Sequence, residues 1–330
     1  MSNNSKKKSL ITGITGQDGA YLSKFLIESG YAVFGLTRDT ATPNLNNLEY
    51  LGIKDKVSVL KANLSDLSNL IRIIEKLEPD EIYNLAAQSS VGLSFDQPIW
   101  TYEFNTLSTL NLLESIRIVN PEIKFYQASS SEMYGNIDQD KLPVTEKHYL
   151  NPSSPYGVSK ASSHMITTSY RQCYNLFASC GILFNHESCL RGGNFVTKKI
   201  VENAVKIANG HINELVLGDL TISRDWGYAP EYVQAMWKIL QHNEPDDFII
   251  CSGEVHTLLE FVAEVFSQLG LNHDKYIKVD DTLFRPLELK IIYGDNSKAK
   301  NTLGWDYNLS FENLILKLID DEKKFSRWRM

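Results

Sequence analysis

One stretch near the N-terminus, "LITGITGQDGAYL", limits the possible folds most: an apolar run meets Gly13, Gly16 and Gly19 and passes at once into an amphipathic segment. A strand that turns through glycines directly into a helix is the opening unit of a dinucleotide-binding sheet. Glycine allows the tight turn and the close approach of a pyrophosphate, while the helix N-terminus offers N–H groups and the positive end of its dipole. Thr15, Gln17 and Asp18 share this turn and are expected beside the cofactor with the three glycines.

The rest of the N-terminal half repeats the same alternation. The runs "AVFGLT", "VSVLKANL", "EIYNLAA", "KFYQASS" and "ASCGILFN" have the continuous apolar character of strands buried on both faces. Between several of them, "AYLSKFLIESG", "LSNLIRIIEKL" and "TLSTLNLLESIRIV" carry apolar residues at helical spacing. The pattern predicts a Rossmann-type doubly wound parallel sheet over residues 1–185, with right-handed crossovers. Past that point the regularity fades through "FVTKKIVENAVKIANG", "ELVLGD" and "DFIICSG". A smaller mixed α/β lobe is expected over 186–330, with short returns to the sheet, seated where open α/β sheets bind ligands.

Composition narrows the function classes. The formal charge of −7 over 330 residues gives no electrostatic reason for nucleic-acid binding. No apolar run approaches the roughly 18 residues that span a bilayer, and the basic start "SKKK" is not followed by an apolar leader segment, so a cytoplasmic protein is expected. Four cysteines without a CxxC pair and seven histidines without HxxxH or HExxH predict neither a metal site nor a disulfide framework.

Cofactor identity turns on the end of the second strand, where "GLTRDT" places Arg38 before Asp39. A basic residue there accommodates the 2′-phosphate of NADP and an acidic one binds the ribose of NAD; Arg38 favours NADP, with NAD as the alternative. Asn63 and Leu64 follow the third strand, near the adenine, and Leu85, Ala86 and Ala87 follow the fourth, where small residues let a diphosphate pass over the backbone. Further on, "SPYGVSKASSH" sets Tyr156 four residues before Lys160, one helical turn apart on one face. A phenol is a poor base at neutral pH unless a nearby ammonium stabilises the phenolate. With Ser130 at the end of the hydroxyl-rich strand, the three form a set for oxidising a carbinol: Ser130 orients the hydroxyl, Tyr156 exchanges its proton and Lys160 tunes the tyrosine and holds the nicotinamide ribose. Glu132, in "SSSEMYG", stands at the same strand end and must be solvated, paired or put to use.

These stretches, together with "EIYNLAAQSSVGLSFD", "FYQASSSEMYG", "YNLFASCGILFNHES", "RGGNFVTKKI" and "RDWGYAPEYVQAMW", resemble the extended short-chain dehydrogenase/reductases that modify nucleotide sugars, and within them the GDP-mannose 4,6-dehydratase family. The resemblance runs from about residue 9 to 260 and more weakly to the end. It implies oxidation at C4 of GDP-mannose, removal of the C5 proton, loss of water from C6 and return of the hydride to C6, giving a 4-keto-6-deoxy sugar. Tyr156 and Ser130 would then act at the C4 oxygen, and Glu132 would carry the proton between C5 and the departing water. Ser131 stands where dehydratases of other nucleotide sugars have aspartate, which matches the GDP-mannose type. The resemblance further implies Ser89, Asn185, Glu187, Arg191, Asn194, Lys199, Arg224, Arg285 and Glu288 around the substrate. For Arg224 the competing expectation is a salt bridge to Asp225, and Trp226 and Trp237 are expected in the core rather than on a base.

Three departures from the family pattern bear on substrate and assembly. "CLRG" replaces Pro-Arg-Arg-Gly, so Cys189 and Leu190 remove an arginine from the rim; "RDTATPNLNNL" differs from the basic loop that reaches a neighbouring subunit; and the insertion before "FRPLE" is short. Another GDP-sugar, a manno-heptose or an N-acetylhexosamine, is therefore the alternative substrate. A homodimer built on the helices Trp100–Val119 and Tyr156–Tyr174 is expected, with a homotetramer as the alternative. A 4-epimerase or 4-reductase would keep Ser130, Tyr156 and Lys160 but would have no need of Glu132.

Overall fold

The computed structural model of the chain describes residues 6–38, 44–284 and 287–329. β1 (Lys8–Thr12) leads through the glycine turn into α1 (Gln17–Glu28), followed by β2 (Ala32–Thr37), α2 (Asn46–Tyr50), β3 (Val57–Lys61), α3 (Leu67–Leu77) and β4 (Glu81–Asn84). After α4 (Val91–Asp96) and α5 (Pro98–Val119) come β5 (Lys124–Ser130), α6 (Pro155–Tyr174) and β6 (Ala178–Leu183). The remainder comprises β7 (Asn185–Glu187), α7 (Val196–Ala208), β8 (Leu215–Leu217), β9 (Ser223–Arg224), β10 (Trp226–Tyr228), α8 (Ala229–Gln241) and β11 (Asp247–Ile250). It ends with β12 (His256–Thr257), α9 (Leu258–Gln268), β13 (Ile277–Val279), β14 (Ile291–Ile292), α10 (Ser297–Leu303) and α11 (Phe311–Arg329).

Seven strands pair in parallel in the order β11, β6, β5, β4, β1, β2, β3. The chain starts at β1, winds outward to β3 and then crosses back to β4, so the winding reverses between β1 and β4. Loops part in opposite directions at that point and leave a crevice beyond the carboxyl ends of the strands.

Side-chain alternation along β5 shows why the sheet needs helices on both faces. Tyr126 and Ala128 join a core with Leu22 and Leu26 of α1 and Met236 and Ile239 of α8. Phe125, pointing the other way, packs with Leu112, Leu113 and Ile116 of α5. The sheet therefore draws α8 and β11 from beyond residue 186. A buried carboxylate fixes that return: Glu81 accepts from Tyr31 (3.1 Å), Tyr83 (2.8 Å) and the amide of Gln241 at the end of α8 (3.0 Å). A separate C-terminal core joins Ile200 and Val201 of α7, Phe261 and Val265 of α9, and Leu314 and Ile315 of α11. Among the described residues no helix is long and apolar enough to cross a membrane.

Candidate active site

The crevice opens at the first glycine. Gly13 has φ 68°, and a Cβ there would lie 2.9 Å from the backbone nitrogen of Ala86. The β4 loop is held this close by Thr12, whose buried hydroxyl accepts from the N–H groups of Leu85 and Ala86, both at 3.0 Å, and donates to Asn84 at 2.7 Å. Gly16 is the N-cap of α1 and brings no side chain to the helix start. Bare N–H groups on one side and small residues on the other form a cradle that fits a dinucleotide diphosphate.

A cavity of about 810 Å³ runs from this cradle to the C-terminal lobe. Its lining includes the expected Gly13, Thr15, Gly16, Gln17, Asp18, Gly19, Arg38, Leu64, Leu85, Ala86, Ala87 and Ser89. Asn63 is not among the lining residues: it is exposed, and its side chain accepts from the N–H of Ser65 at 3.1 Å. Neighbours in an extended segment face opposite ways, so Ala62 and Leu64 line the cavity while Asn63 turns outward. Arg38 lies 5.8 Å from the ring centre of Phe104, another lining residue. Asp39, the neighbour that weighed on cofactor choice, lies outside the described residues.

Gln17 and Asp18 do more than border the diphosphate. Gln17 donates to the His186 carbonyl (3.1 Å) and accepts from Ser188 (2.7 Å), and the Asp18 carboxylate meets His186 Nε2 at 2.9 Å. Burial raises the Asp18 pKa, but the His186 ring, the Gln17 amide and the Arg191 charge together outweigh it and hold the carboxyl at about 2. The first turn of α1 is thereby tied to β7 on the substrate side. Sequence reasoning missed His186; its position beside Asn185 and Glu187 was the available signal.

The four expected catalytic residues all line the cavity. β5 ends at Ser130, whose hydroxyl accepts from the Glu132 N–H at 3.3 Å and caps the short turn Ser131–Met133. α6 starts with Ser154 as N-cap, bonded to the Gly157 N–H at 3.0 Å, and with Pro155 in its first turn. Gly157 lets the helix come close, because a Cβ there would sit 2.7 Å from the Glu132 carbonyl oxygen. Tyr156 and Lys160 consequently face the end of β5.

Their electrostatics differ from the sequence expectation. Burial pushes the Tyr156 phenol up to about 12, opposed by its hydrogen bond to Ser130 and reinforced by the Glu132 charge. Burial brings the Lys160 ammonium down to about 8. Its Nζ donates to the Ala128 carbonyl at 2.8 Å and lies 5.9 Å from the centre of the Tyr156 ring. Desolvation thus dominates the phenol, and the groups that favour the phenolate are Ser130, by its hydrogen bond, and Arg191, by its charge.

On the substrate side Asn185, Glu187, Arg191, Asn194, Arg224 and Glu288 line the cavity. Glu187 accepts from Thr197 at 2.6 Å and lies 3.5 Å from Arg191 Nε. Lys199 is a correction: its Nζ donates to the Val216 carbonyl at 2.7 Å and it is absent from the lining, because it sits on the side of α7 that faces β8. Arg285 lies outside the described residues. Arg224 pairs with Glu288 at 2.8 Å and not with Asp225, whose carboxylate accepts from Ser252 N–H (2.8 Å), Ser252 Oγ (2.7 Å) and Gly253 N–H (2.9 Å). Trp226 belongs to the core, as expected, packed on Phe261 and Phe311, and also reaches the cavity wall. Trp237 is half-buried and donates to Tyr31 at 3.1 Å. Leu190, at the altered rim, is buried and lines the cavity.

A phenol hydrogen-bonded to a hydroxyl, a carboxylate in the same cavity wall and a dinucleotide cradle next door are the groups needed to oxidise a carbinol and move a proton on the adjoining carbon. Comparison with known proteins agrees with that chemistry. The family model described as GDP-mannose 4,6 dehydratase matches residues 10–318. GDP-mannose 4,6 dehydratase 1 of Arabidopsis thaliana is 43% identical, the match covering 98% of this chain and 91% of that protein. The GDP-mannose 4,6 dehydratase of Homo sapiens is 40% identical, over 96% of this chain and 92% of its own length. In fold, the chain matches the crystal structure of dTDP-glucose 4,6-dehydratase from Bacillus anthracis in complex with NAD, with a TM-score of 0.85, 24% identity and 98% of both chains covered.

Proposed function

The chain belongs to the GDP-mannose 4,6-dehydratase family, and from that premise we propose that it dehydrates GDP-mannose to GDP-4-keto-6-deoxymannose with NADP, using Ser130, Tyr156, Lys160 and Glu132. The observation that carries this reading is the presence of Glu132 in the same cavity wall as Ser130 and Tyr156, where an epimerase or reductase would have no need of a carboxylate.

A nicotinamide dinucleotide in the glycine cradle would accept the C4 hydrogen as hydride and give it back at C6. The chain's own groups handle the protons. Tyr156 takes the proton of the C4 hydroxyl, and the hydrogen bond from Ser130 offsets part of the cost that burial imposes on the phenolate. Lys160 keeps a positive charge near that oxygen from one helical turn away. Once C4 is a ketone the C5 proton is acidic enough for a carboxylate, and Glu132 removes it and delivers a proton to the C6 hydroxyl as water leaves; when the hydride returns to C6, C5 regains a proton that balances the one Tyr156 took from the C4 hydroxyl. Arg191 and Asn194 border the sugar, and Arg224, held by Glu288, stands at the diphosphate end.

Incubation with GDP-mannose and NADP is expected to yield a product lighter by one water. Failure to form a 4-keto-6-deoxy product from any GDP-sugar would overturn the dehydratase reading, and activity confined to another GDP-sugar would redirect it to the altered rim at Cys189 and Leu190. The NADP preference rests on Arg38, exposed at the cavity edge. Arg38→Ala should weaken NADP binding by about tenfold, the worth of a charge-assisted phosphate contact, and leave NAD binding unchanged. Equal loss for both cofactors would contradict a 2′-phosphate contact.

A homodimer through α5 and α6 completes the reading. Those helices leave Ile99 72% and Met165 62% exposed, together with Tyr102, Leu107, Ile118, Val158 and Tyr174. An apolar face of this extent on two packed helices suits a four-helix bundle with a second copy.

A further inference from the structure

Behind the catalytic strand lies a largely buried polar cluster that the proposed reaction leaves unused. Tyr156 and Lys160 occupy one stripe of α6, and one turn further the stripe reaches His164. His164 Nδ1 is 3.0 Å from the hydroxyl of Ser129, the residue before catalytic Ser130. Its Nε2 faces the Asp247 carboxylate at 3.7 Å. Arg171, also on α6, forks that carboxylate at 2.9 and 2.8 Å, and the Cys180 N–H of β6 reaches it at 3.2 Å.

Metal binding does not explain the cluster. Donor atoms of His164, Cys180 and Asp247 do lie within 4.8 Å of one another. Arg171 already occupies both carboxylate oxygens with a cation of the protein's own, and a metal would have to displace it. Ser129 itself borders the cavity but is 2% exposed, and its hydroxyl is engaged by the His164 ring.

The cluster does something else: it fixes the end of β5. Two consecutive residues of the strand are bonded to α6, the Ala128 carbonyl by Lys160 at 2.8 Å and the Ser129 hydroxyl by His164 at 3.0 Å. We propose that His164 is a positioning residue, which accepts from Ser129 through Nδ1, is backed by the Asp247–Arg171 pair, and so sets the placement of Ser130 against Tyr156. Nε2 carries the ring proton because it faces a carboxylate. The charged groups around the ring are Asp247 from β11 and Arg171 and Lys160 from its own helix, with neutral Cys180 from β6. Arg171 already neutralises Asp247, so a second proton on the ring would be an uncompensated buried charge. Burial correspondingly lowers the His164 pKa.

This inference rests on the dehydratase reading for its activity readout and on spectroscopy for the contact itself. His164→Leu should lower kcat on GDP-mannose about tenfold, the cost of slackening a supporting contact, with KM within about twofold of the unaltered enzyme. His164→Asn presents an amide oxygen where Nδ1 stood, and should recover most of the loss. Ser129→Ala, a smaller change that serves if the leucine variant fails to fold, should match His164→Leu, and the double variant should lose nothing further. Unchanged kcat in both single variants, or losses that multiply in the double, would overturn the proposal. Should the unaltered protein turn over no GDP-sugar, the dehydratase reading fails, and the ring nitrogens decide the positioning separately. Nitrogen-15 spectra at neutral pH should show His164 protonated on Nε2 alone, with Nδ1 shifting in Ser129→Ala. A proton on Nδ1, or no shift, would overturn it.

Discussion

Replacing Glu132 by glutamine should lower dehydration by about 10³-fold, within the range that a positioned acid/base group contributes, and leave NADP binding as it is. Glutamine keeps the length and shape of the side chain, so the Glu132 N–H can still bond the Ser130 hydroxyl and the turn Ser131–Met133 stays capped. What it removes is the carboxylate proposed to accept the C5 proton and to protonate the departing C6 hydroxyl. Exchange of the C5 hydrogen with deuterated solvent, followed by nuclear magnetic resonance, separates the two roles. Both exchange and water loss should vanish together if Glu132 serves both carbons. Exchange that persists while water loss stops would restrict Glu132 to C6 and require another base at C5; retained turnover would remove it from the chemistry.

Lys160→Met should lower turnover by at least about 10²-fold while making the protein more stable. Lys160 is 6% exposed, and burial brings its ammonium from 10.5 to about 8. That gap is an energetic penalty on the charged form in the native state, on the order of 3 kcal/mol. The sign follows from proton counting. Between pH 8 and 10.5 the unfolded chain holds the lysine proton and the native chain has released it, so stability rises with pH across this window; below about 8 the full penalty applies. Methionine fills a similar volume without charge. The Ala128 carbonyl that loses Lys160 still accepts from Gln127 at 3.1 Å. Denaturant titration at neutral pH should therefore show a gain for Lys160→Met that shrinks as pH rises toward 10.5. Equal or lower stability at neutral pH would mean that the ammonium is better compensated than its burial indicates.

How much of this was legible beforehand depended on the range of the interactions involved. β1, the glycine turn and α1 are local, as are the spacing of Tyr156 and Lys160 and the cap that starts α6, and these the sequence predicts at nearly the observed positions. The long helices expected at Trp100–Val119 and Tyr156–Tyr174 appear as Pro98–Val119 and Pro155–Tyr174. Contacts between distant segments were not legible. Nothing in the chain order says that His186 meets Asp18, that Glu288 takes Arg224 from Asp225, or that Lys199 turns to the Val216 backbone. Asn63 was misplaced for a simpler reason, the alternation of an extended segment. The largest shift concerns Tyr156: its one-turn distance from Lys160 suggested an acidified phenol, whereas burial, which no sequence spacing encodes, leaves its pKa raised to about 12.

The most direct test of the proposed reaction follows a single hydrogen. GDP-mannose carrying deuterium at C4 is incubated with the protein and NADP, and the product is read by mass spectrometry and nuclear magnetic resonance. The expected product has lost one water, carries a ketone at C4 and holds the deuterium at C6. A nucleotide sugar that keeps all its oxygens, or a dehydrated product whose C6 hydrogen comes from solvent, would contradict it.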